Sequence, residues 1–312
     1  MAAGDIVHAQ ARPSLGVRRR RIGEDIIKAI LGLAALVSVL TTVGIVIALI
    51  LPALDFFRAV SPVDFFTGTD WAPLFQPAHF GVLPLLAGTL VVTFIALLVC
   101  VPCGLGAAIY LSEYAHPRVR SILKPILEVL VGIPTVVFGY FALTLITPTV
   151  LRGYLGLSTD VFNALAAGLV MGVMLLPIVA SLSEDAMTAV PNDLRAGAYA
   201  LGATKLEVST RIVVPGAISG IVASFVLAIS RGIGETMIVL IAGGTQPNFT
   251  FDPRVSLETM TAFIGATANG DVPTGSIEYK TIFAVGLTLF VLTLAMNLIA
   301  IRLVRKYREV YE

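Results

Sequence analysis

The run Ser230-Arg231-Gly232-Ile233-Gly234-Glu235-Thr236-Met237 sets a guanidinium and a carboxylate four residues apart inside a long apolar stretch. An arginine at mid-bilayer costs at least about 2.5 kcal/mol on insertion scales, and a lone glutamate is also unfavourable, so neither should face lipid. At this spacing on a helix the two share one face. Two readings fit: an internal ion pair that holds the helix in register, or an interfacial arginine that snorkels, against a pair that lines the path of an anion. The second follows from the residue types. A guanidinium keeps its charge and offers five donors in a planar fork that matches tetrahedral oxyanions. The carboxylate would keep the anion from binding too tightly. It would also accept a hydrogen bond from a protonated phosphate oxygen, which fully ionised sulfate lacks. Ser230 and Thr236 flank the pair and join the candidate pathway, and Gly232 and Gly234 leave space beside it.

The elements that position these residues are membrane helices. Of 312 residues, 57% are hydrophobic and 13% charged, with a mean hydropathy of +0.92; soluble domains carry about 25% charged residues. A span needs roughly 20 apolar residues, and six windows supply them, at 26–51, 83–111, 126–146, 161–182, 212–243 and 282–304. A closed barrel would show short alternating segments instead. The fold class is therefore an all-α polytopic membrane protein with six transmembrane helices, and an even number puts both termini on one side. Sixteen of the 21 Lys and Arg residues fall at the termini and in the second and fourth connections, against four on the opposite side. Cytoplasmic flanks are enriched in these residues, so both termini are cytoplasmic.

The resulting organisation is a basic cytoplasmic tail over 1–25, a first span over 26–51, an extracytoplasmic loop over 52–82, a permease core over 83–304 and a cytoplasmic tail over 305–312. Arg18 to Arg21 read as a topology anchor facing anionic lipid rather than as a nucleic-acid arm. The first window is too long for the apolar part of a cleaved signal. Cys100 and Cys103 read as small buried hydrophobes, since no His or further Cys completes a metal or redox site. No catalytic residue, metal ligand or phosphate-binding G-x-x-x-x-G-K-[ST] loop occurs. The chain is thus not an enzyme and carries no cofactor; any ATP hydrolysis, with its Mg, belongs to a separate protein. Glu113, Arg118, Arg120, Lys124 and Glu128 read as a solvated cytoplasmic cluster. Gly168 with Gly172, and Gly216 with Gly220, have the spacing of helix-contact faces. Pro84, Pro102, Pro134 and Pro177 would kink or end helices.

The connection at 183–211 has readable internal structure. Pro191-Asn192-Asp193 opens a helix, Gly202 ends it, and Thr204-x-x-Glu207 matches a capping box that starts another. That second helix should run to about Val214, where Pro215 and Gly216 mark the start of the fifth window. From geometry alone such a hairpin is a plain connector or a docking element.

The segment Ala196-Gly197-Ala198-Tyr199-Ala200-Leu201-Gly202-Ala203, then Ile212-Val213-Val214-Pro215, resembles the signature loop of ABC-importer permeases of type I. In that family the loop is a coupling helix seated in a groove of the ATP-hydrolysing subunit. The resemblance maps this role onto Ala196, Gly197, Ala198, Gly202, Ala203, Thr204, Glu207 and Pro215. One departure stands: Ala196 replaces the usual leading Glu. Phe65-Phe-Thr-Gly-Thr-Asp-Trp71, Gly81-Val-Leu-Pro-Leu-Leu-Ala-Gly-Thr89, Leu111-Ser-Glu-Tyr-Ala115, Gly132-Ile-Pro134 and Arg231-Gly-Ile-Gly-Glu235-Thr-Met resemble, more narrowly, the C-type permease family of bacterial phosphate importers. This resemblance implies import of inorganic phosphate by alternating access across the bacterial inner membrane. It also implies an A-type permease partner, a homodimeric ATPase and an extracytoplasmic phosphate-binding protein, with Arg231 and Glu235 as the functional pair. Another oxyanion such as sulfate, or an ATP-independent carrier, is the alternative.

Overall fold

The computed structural model describes residues 22–306. Within them the protein is helical apart from one antiparallel ribbon, β1 (Trp71–Ala72) with β2 (His79–Phe80), in which Trp71 pairs with Phe80. The chain divides into two compact units, Met1–Ala48 and Leu49–Glu312. In the first, the described chain is a single apolar helix, the N-terminal part of α1 (Ile22–Ala59). Arg18 to Arg21, the proposed topology anchor, lie outside the described residues.

The second unit contains, in order, α2 (Pro62–Thr67), α3 (Leu83–Ile109, prolonged by a wide turn Tyr110–Tyr114), α4 (Pro117–Val131), α5 (Thr135–Phe141, prolonged by π-helical Ala142–Tyr154), α6 (Ala164–Thr188) and α7 (Asn192–Ala200). Then come α8 (Lys205–Val208), which runs through Ser209–Val213 into α9 (Val214–Gly216), and α10 (Ile218–Ile233) with a further helical turn at Val239–Gly243. The last elements are α11 (Met260–Ala268) and α12 (Ile277–Lys306). Among the described residues, five helices are long and apolar enough to cross a bilayer, and the segment Lys205–Gly216 with Ile218–Ile233, bent by 69°, makes a sixth if it is one span.

Several boundaries differ from the sequence reading, the first being that α1 continues to Ala59 rather than ending at 51. The third window, 126–146, covers two elements: α4, a separate helix, and the span Thr135–Tyr154. Gly132-Ile133-Pro134 separates them, because proline lacks an N–H and drives the preceding residue out of the helical region. The fourth span continues to Thr188, so the connection that follows begins there rather than at 183. The fifth window, 212–243, is interrupted at Gly234 to Thr236.

The second unit is held together mainly by α3 packed on α6. In lipid, apolar burial alone gives helices little reason to associate, so close packing of small residues carries the contact. Gly168 and Gly172 of α6 serve this purpose: a Cβ on Gly172 would lie 2.7 Å from the Val99 Cβ and 2.8 Å from the Ala96 carbonyl oxygen of α3. On α10, a Cβ on Gly220 would meet the Ala186 Cβ of α6 at 2.4 Å, which supports a contact face there too. The Ser183 hydroxyl lies 2.9 Å from that of Ser224, which itself donates to the Ile221 carbonyl at 2.7 Å, so α6 and α10 are also joined by a satisfied buried hydroxyl pair. Cys100 is buried in the α3–α6 core as expected, but Cys103 is exposed: three residues further along the helix it has turned away from α6.

At the other end, α2, the ribbon and α11 pack an aromatic cluster against the tail of α1. Phe56 and Phe65 stand edge to face at 5.6 Å, and Trp71 and Phe263 at 4.9 Å.

Candidate functional site

The first candidate site is the interruption after α10. Gly234 caps the helix, and Glu235 then turns its carboxylate back on the chain: Oε1 accepts from the backbone N–H groups of Met237 at 3.1 Å and Ile238 at 3.4 Å. Those amides open the next helical turns and would otherwise lack partners inside the membrane. The Thr261 hydroxyl donates to the Glu235 carbonyl at 2.7 Å, which ties the interruption to α11. Glu235 is therefore buried and engaged with backbone.

Arg231 is placed differently. It is exposed, and among the described residues it makes no ion pair. The shared helical face expected of Arg231 and Glu235 is not realised, because α10 ends at Ile233 before the carboxylate is reached. Instead Ala223, Leu227 and Arg231, at spacings of four, are all exposed and form one outward stripe of α10, which the exposed capping residue Gly234 continues. Ser230, beside the arginine, donates to Asn297 Oδ1 of α12 at 2.7 Å. Thr236 is half-buried and its hydroxyl donates to the Gly234 carbonyl at 3.4 Å. The four residues expected to line a pathway thus cluster around the break, and of these four only Arg231 presents a charged group without an ion pair among the described residues.

The second candidate site is the connection between α6 and α10, which has the expected local structure. α7 ends at Ala200 with Leu201 as its cap, Gly202 adopts φ +84°, and Thr204 and Glu207 form both bonds of the capping box, Thr204 N–H to Glu207 Oε2 at 2.9 Å and Glu207 N–H to Thr204 Oγ1 at 3.3 Å. A positive φ is unstrained only for glycine. Ala196, Gly197, Gly202, Thr204 and Pro215 are exposed, while Ala203 and Glu207 are half-buried. Ala198 is buried in a core cluster with Met187, Val208 and Ile221, so it anchors the hairpin rather than offering a contact. Two apolar side chains missed at the sequence level dominate the tip: Leu201 is 91% exposed and Leu206 64%. A hydrophobic, close-approach surface at the end of a braced hairpin is suited to seating in the groove of another protein.

The bracing was also missed. Arg195 of α7 reaches Glu113 Oε1 at 3.0 Å and donates to the backbone carbonyls of Met187 and Val190 at the end of α6. Its partner Glu113 is almost fully enclosed. Beside it, the buried Glu184 of α6 receives Arg120 and, at 2.7 Å, Lys124 of α4. Lys124 also contacts Asp185 at 2.6 Å, and these two acidic partners hold the ammonium above its usual pKa. The solvated cluster expected of Glu113, Arg120 and Lys124 is thus an ion network between elements. Glu184, Asp185 and Arg195 come from a segment some 60 to 80 residues away, and spacing along one helix gives no hint of such partners.

Comparison with known proteins fits this geometry. The family described as binding-protein-dependent transport system inner membrane component matches residues 101–309. The chain is 34% identical over 300 residues to the probable ABC transporter permease protein YqgH of Bacillus subtilis, covering 94% of each. It is 30% identical to the phosphate transport system permease protein PstC of Mesorhizobium japonicum, covering 91% of this chain and 90% of the relative. Among solved structures, a chain of a bacterial alginate ABC transporter in complex with its alginate pentasaccharide-bound periplasmic protein shares the fold, with a TM-score of 0.63 at 18% identity over 92% of this chain and 98% of that one.

Proposed function

This chain belongs to the binding-protein-dependent transport system inner membrane components, and from that premise we propose that it is the C-type permease half of an importer of inorganic phosphate. As a member of that family it is an inner-membrane, non-catalytic component of an ABC importer that works with an ATPase and a binding protein. The finer reading adds the cargo, an A-type permease as the other half, and a homodimeric ATPase that binds ATP and Mg.

The observation that carries the phosphate reading is the free guanidinium of Arg231 on the outward stripe of α10, beside a helix break. An unpaired arginine on a membrane helix is costly unless a wet path or an anion meets it. Its fork matches two oxygens of a tetrahedral oxyanion. Relatives of about 30% identity named as phosphate permeases support the choice of anion. In this reading Arg231 contacts the anion, and Glu235 fixes the break that frees the stripe. Ser230, held by Asn297, and Thr236 set the edges of the passage. Alternating access exposes the stripe to one side and then the other, and release follows from a lower affinity in the inward state. The hairpin of α7 and α8 transmits the ATPase movement through Leu201, Gly202 and Leu206.

Uptake of labelled phosphate and sulfate into vesicles that carry the intact complex tests the proposal. Phosphate uptake should be selective and lost on Arg231→Gln, with the complex still assembled. Sulfate preference would move the assignment to another oxyanion, and undiminished phosphate uptake by Arg231→Gln would remove Arg231 from the pathway.

A further inference from the structure

On the extracytoplasmic side of the second unit lies a cavity of about 520 Å³ that neither the anion stripe nor the coupling hairpin uses. That volume falls within the roughly 300–1,000 Å³ range of ligand sites. Trp71, Phe75 and Phe263 line it, together with Thr267, Glu258 and Asp271. Glu258 is only 6% exposed, and among the described residues its carboxyl group has neither a hydrogen bond nor an ion pair. Its backbone sits against α3, where a Cβ on Gly88 would lie 2.3 Å from the Glu258 carbonyl oxygen, so close packing fixes the residue. A carboxyl group with so little exposure and no partner within the described chain points to one supplied from outside.

The lining indicates what that partner is. It contains no Lys, Arg or His, and its two ionisable groups are both carboxyls, the second being the exposed Asp271. Aromatic walls next to carboxylates suit a cation, through charge and through attraction to ring faces. An anion would meet no cation there and would be repelled by Asp271 at the rim. Phe75, 72% exposed, offers the incoming chain an apolar contact at the rim.

We propose that this cavity is a socket in which the extracytoplasmic binding protein seats a lysine or arginine side chain, with Glu258 as the buried counter-charge and Asp271 as the steering charge at the rim. The inference rests on the importer reading above. While the socket is empty, burial pushes the Glu258 carboxyl up to about 8, so an arriving cation displaces a proton; Asp271 is the other titratable group facing the cavity.

The test measures binding of the purified cognate binding protein to the intact complex in lipid nanodiscs. Glu258→Gln, which removes the counter-charge at nearly constant volume, should weaken binding by about thirtyfold or more, chiefly through faster dissociation. Asp271→Asn, at an exposed position, should slow association and flatten its salt dependence. Tight wild-type binding left unchanged by both variants overturns the socket and leaves the importer reading intact. A wild-type complex that binds no such protein overturns both. If Glu258→Gln fails to assemble, Asp271→Asn alone decides: an unaltered salt dependence sinks the proposal.

Discussion

Replacing Arg195 with alanine should uncouple the cytoplasmic hairpin while leaving the membrane core folded. The side chain is 15% exposed and its partner Glu113 5%, so little solvent screens the pair at 3.0 Å. Removing the guanidinium leaves the enclosed Glu113 carboxylate with only the Ser112 hydroxyl, and takes one donor from each of the Met187 and Val190 carbonyls at the end of α6. Breaking a buried pair from one side costs about 3–5 kcal/mol, a factor of roughly 150 to 5,000 in an equilibrium constant. The loss falls on the docking of α7, because the α3–α6 contact relies on Gly168 and Gly172 rather than on this pair. Hydrogen exchange of the purified complex should show the amides of 192–200 losing protection by a factor within that range, up to the point where α7 unfolds, while α3 and α6 stay protected. ATP hydrolysis should continue with transport largely lost. Adding Glu113→Gln should recover part of the protection, since the stranded charge is the larger share of the cost. Protection in Arg195→Ala within about threefold of wild type, roughly 0.7 kcal/mol, would refute this account; a double variant worse than the single would refute the role of the stranded carboxylate.

The remaining predictions concern backbone and charge. Gly172→Val should lower the thermal midpoint of the detergent-solubilised complex by an overpacking cost of about 1–3 kcal/mol, because its Cβ collides with both a side chain and a backbone carbonyl of α3. Gly202→Ala faces open space but forces φ +84° on a residue with a Cβ, so about 1 kcal/mol should appear as reduced helicity and exchange protection in 199–205, with no change in the core. The Glu258 carboxyl is raised by burial from 4.5 to about 8. The folded state then holds the proton more tightly than the unfolded chain, so this group's contribution is fully present below about pH 4.5 and is lost as pH rises toward 8. A melting series over that window should fall with pH in the wild type and be flatter in Glu258→Gln.

The capping box, the glycine turn and the end of the hairpin near Pro215 were legible because each is a local pattern: a Thr-x-x-Glu spacing, a residue that tolerates positive φ, and a proline. The apolar windows and charge asymmetry were legible because a bilayer imposes length and sign on every span. The helix-contact role of Gly168 and Gly172 was half legible, since spacing marks a small-residue face but not the helix that meets it.

Local pattern failed where the partner is distant. Arg231 and Glu235 share a helical face only if the helix continues, and whether it continues is decided by two backbone amides, which take the Glu235 carboxylate, and by the Thr261 hydroxyl of α11. The cytoplasmic charges read as solvated because their partners lie some 60 to 80 residues away and meet them only when α4, α6 and α7 pack. Cys103 was read as buried because composition reports the environment of a whole window, while burial follows the angular position of each residue on a packed helix. The sequence by itself therefore determined the membrane class, the family signature loop and its caps. Only the tertiary structure decided which charges are satisfied and which remain free, because pairing in a low-dielectric interior depends on distance in space, which chain spacing constrains only within a single helix.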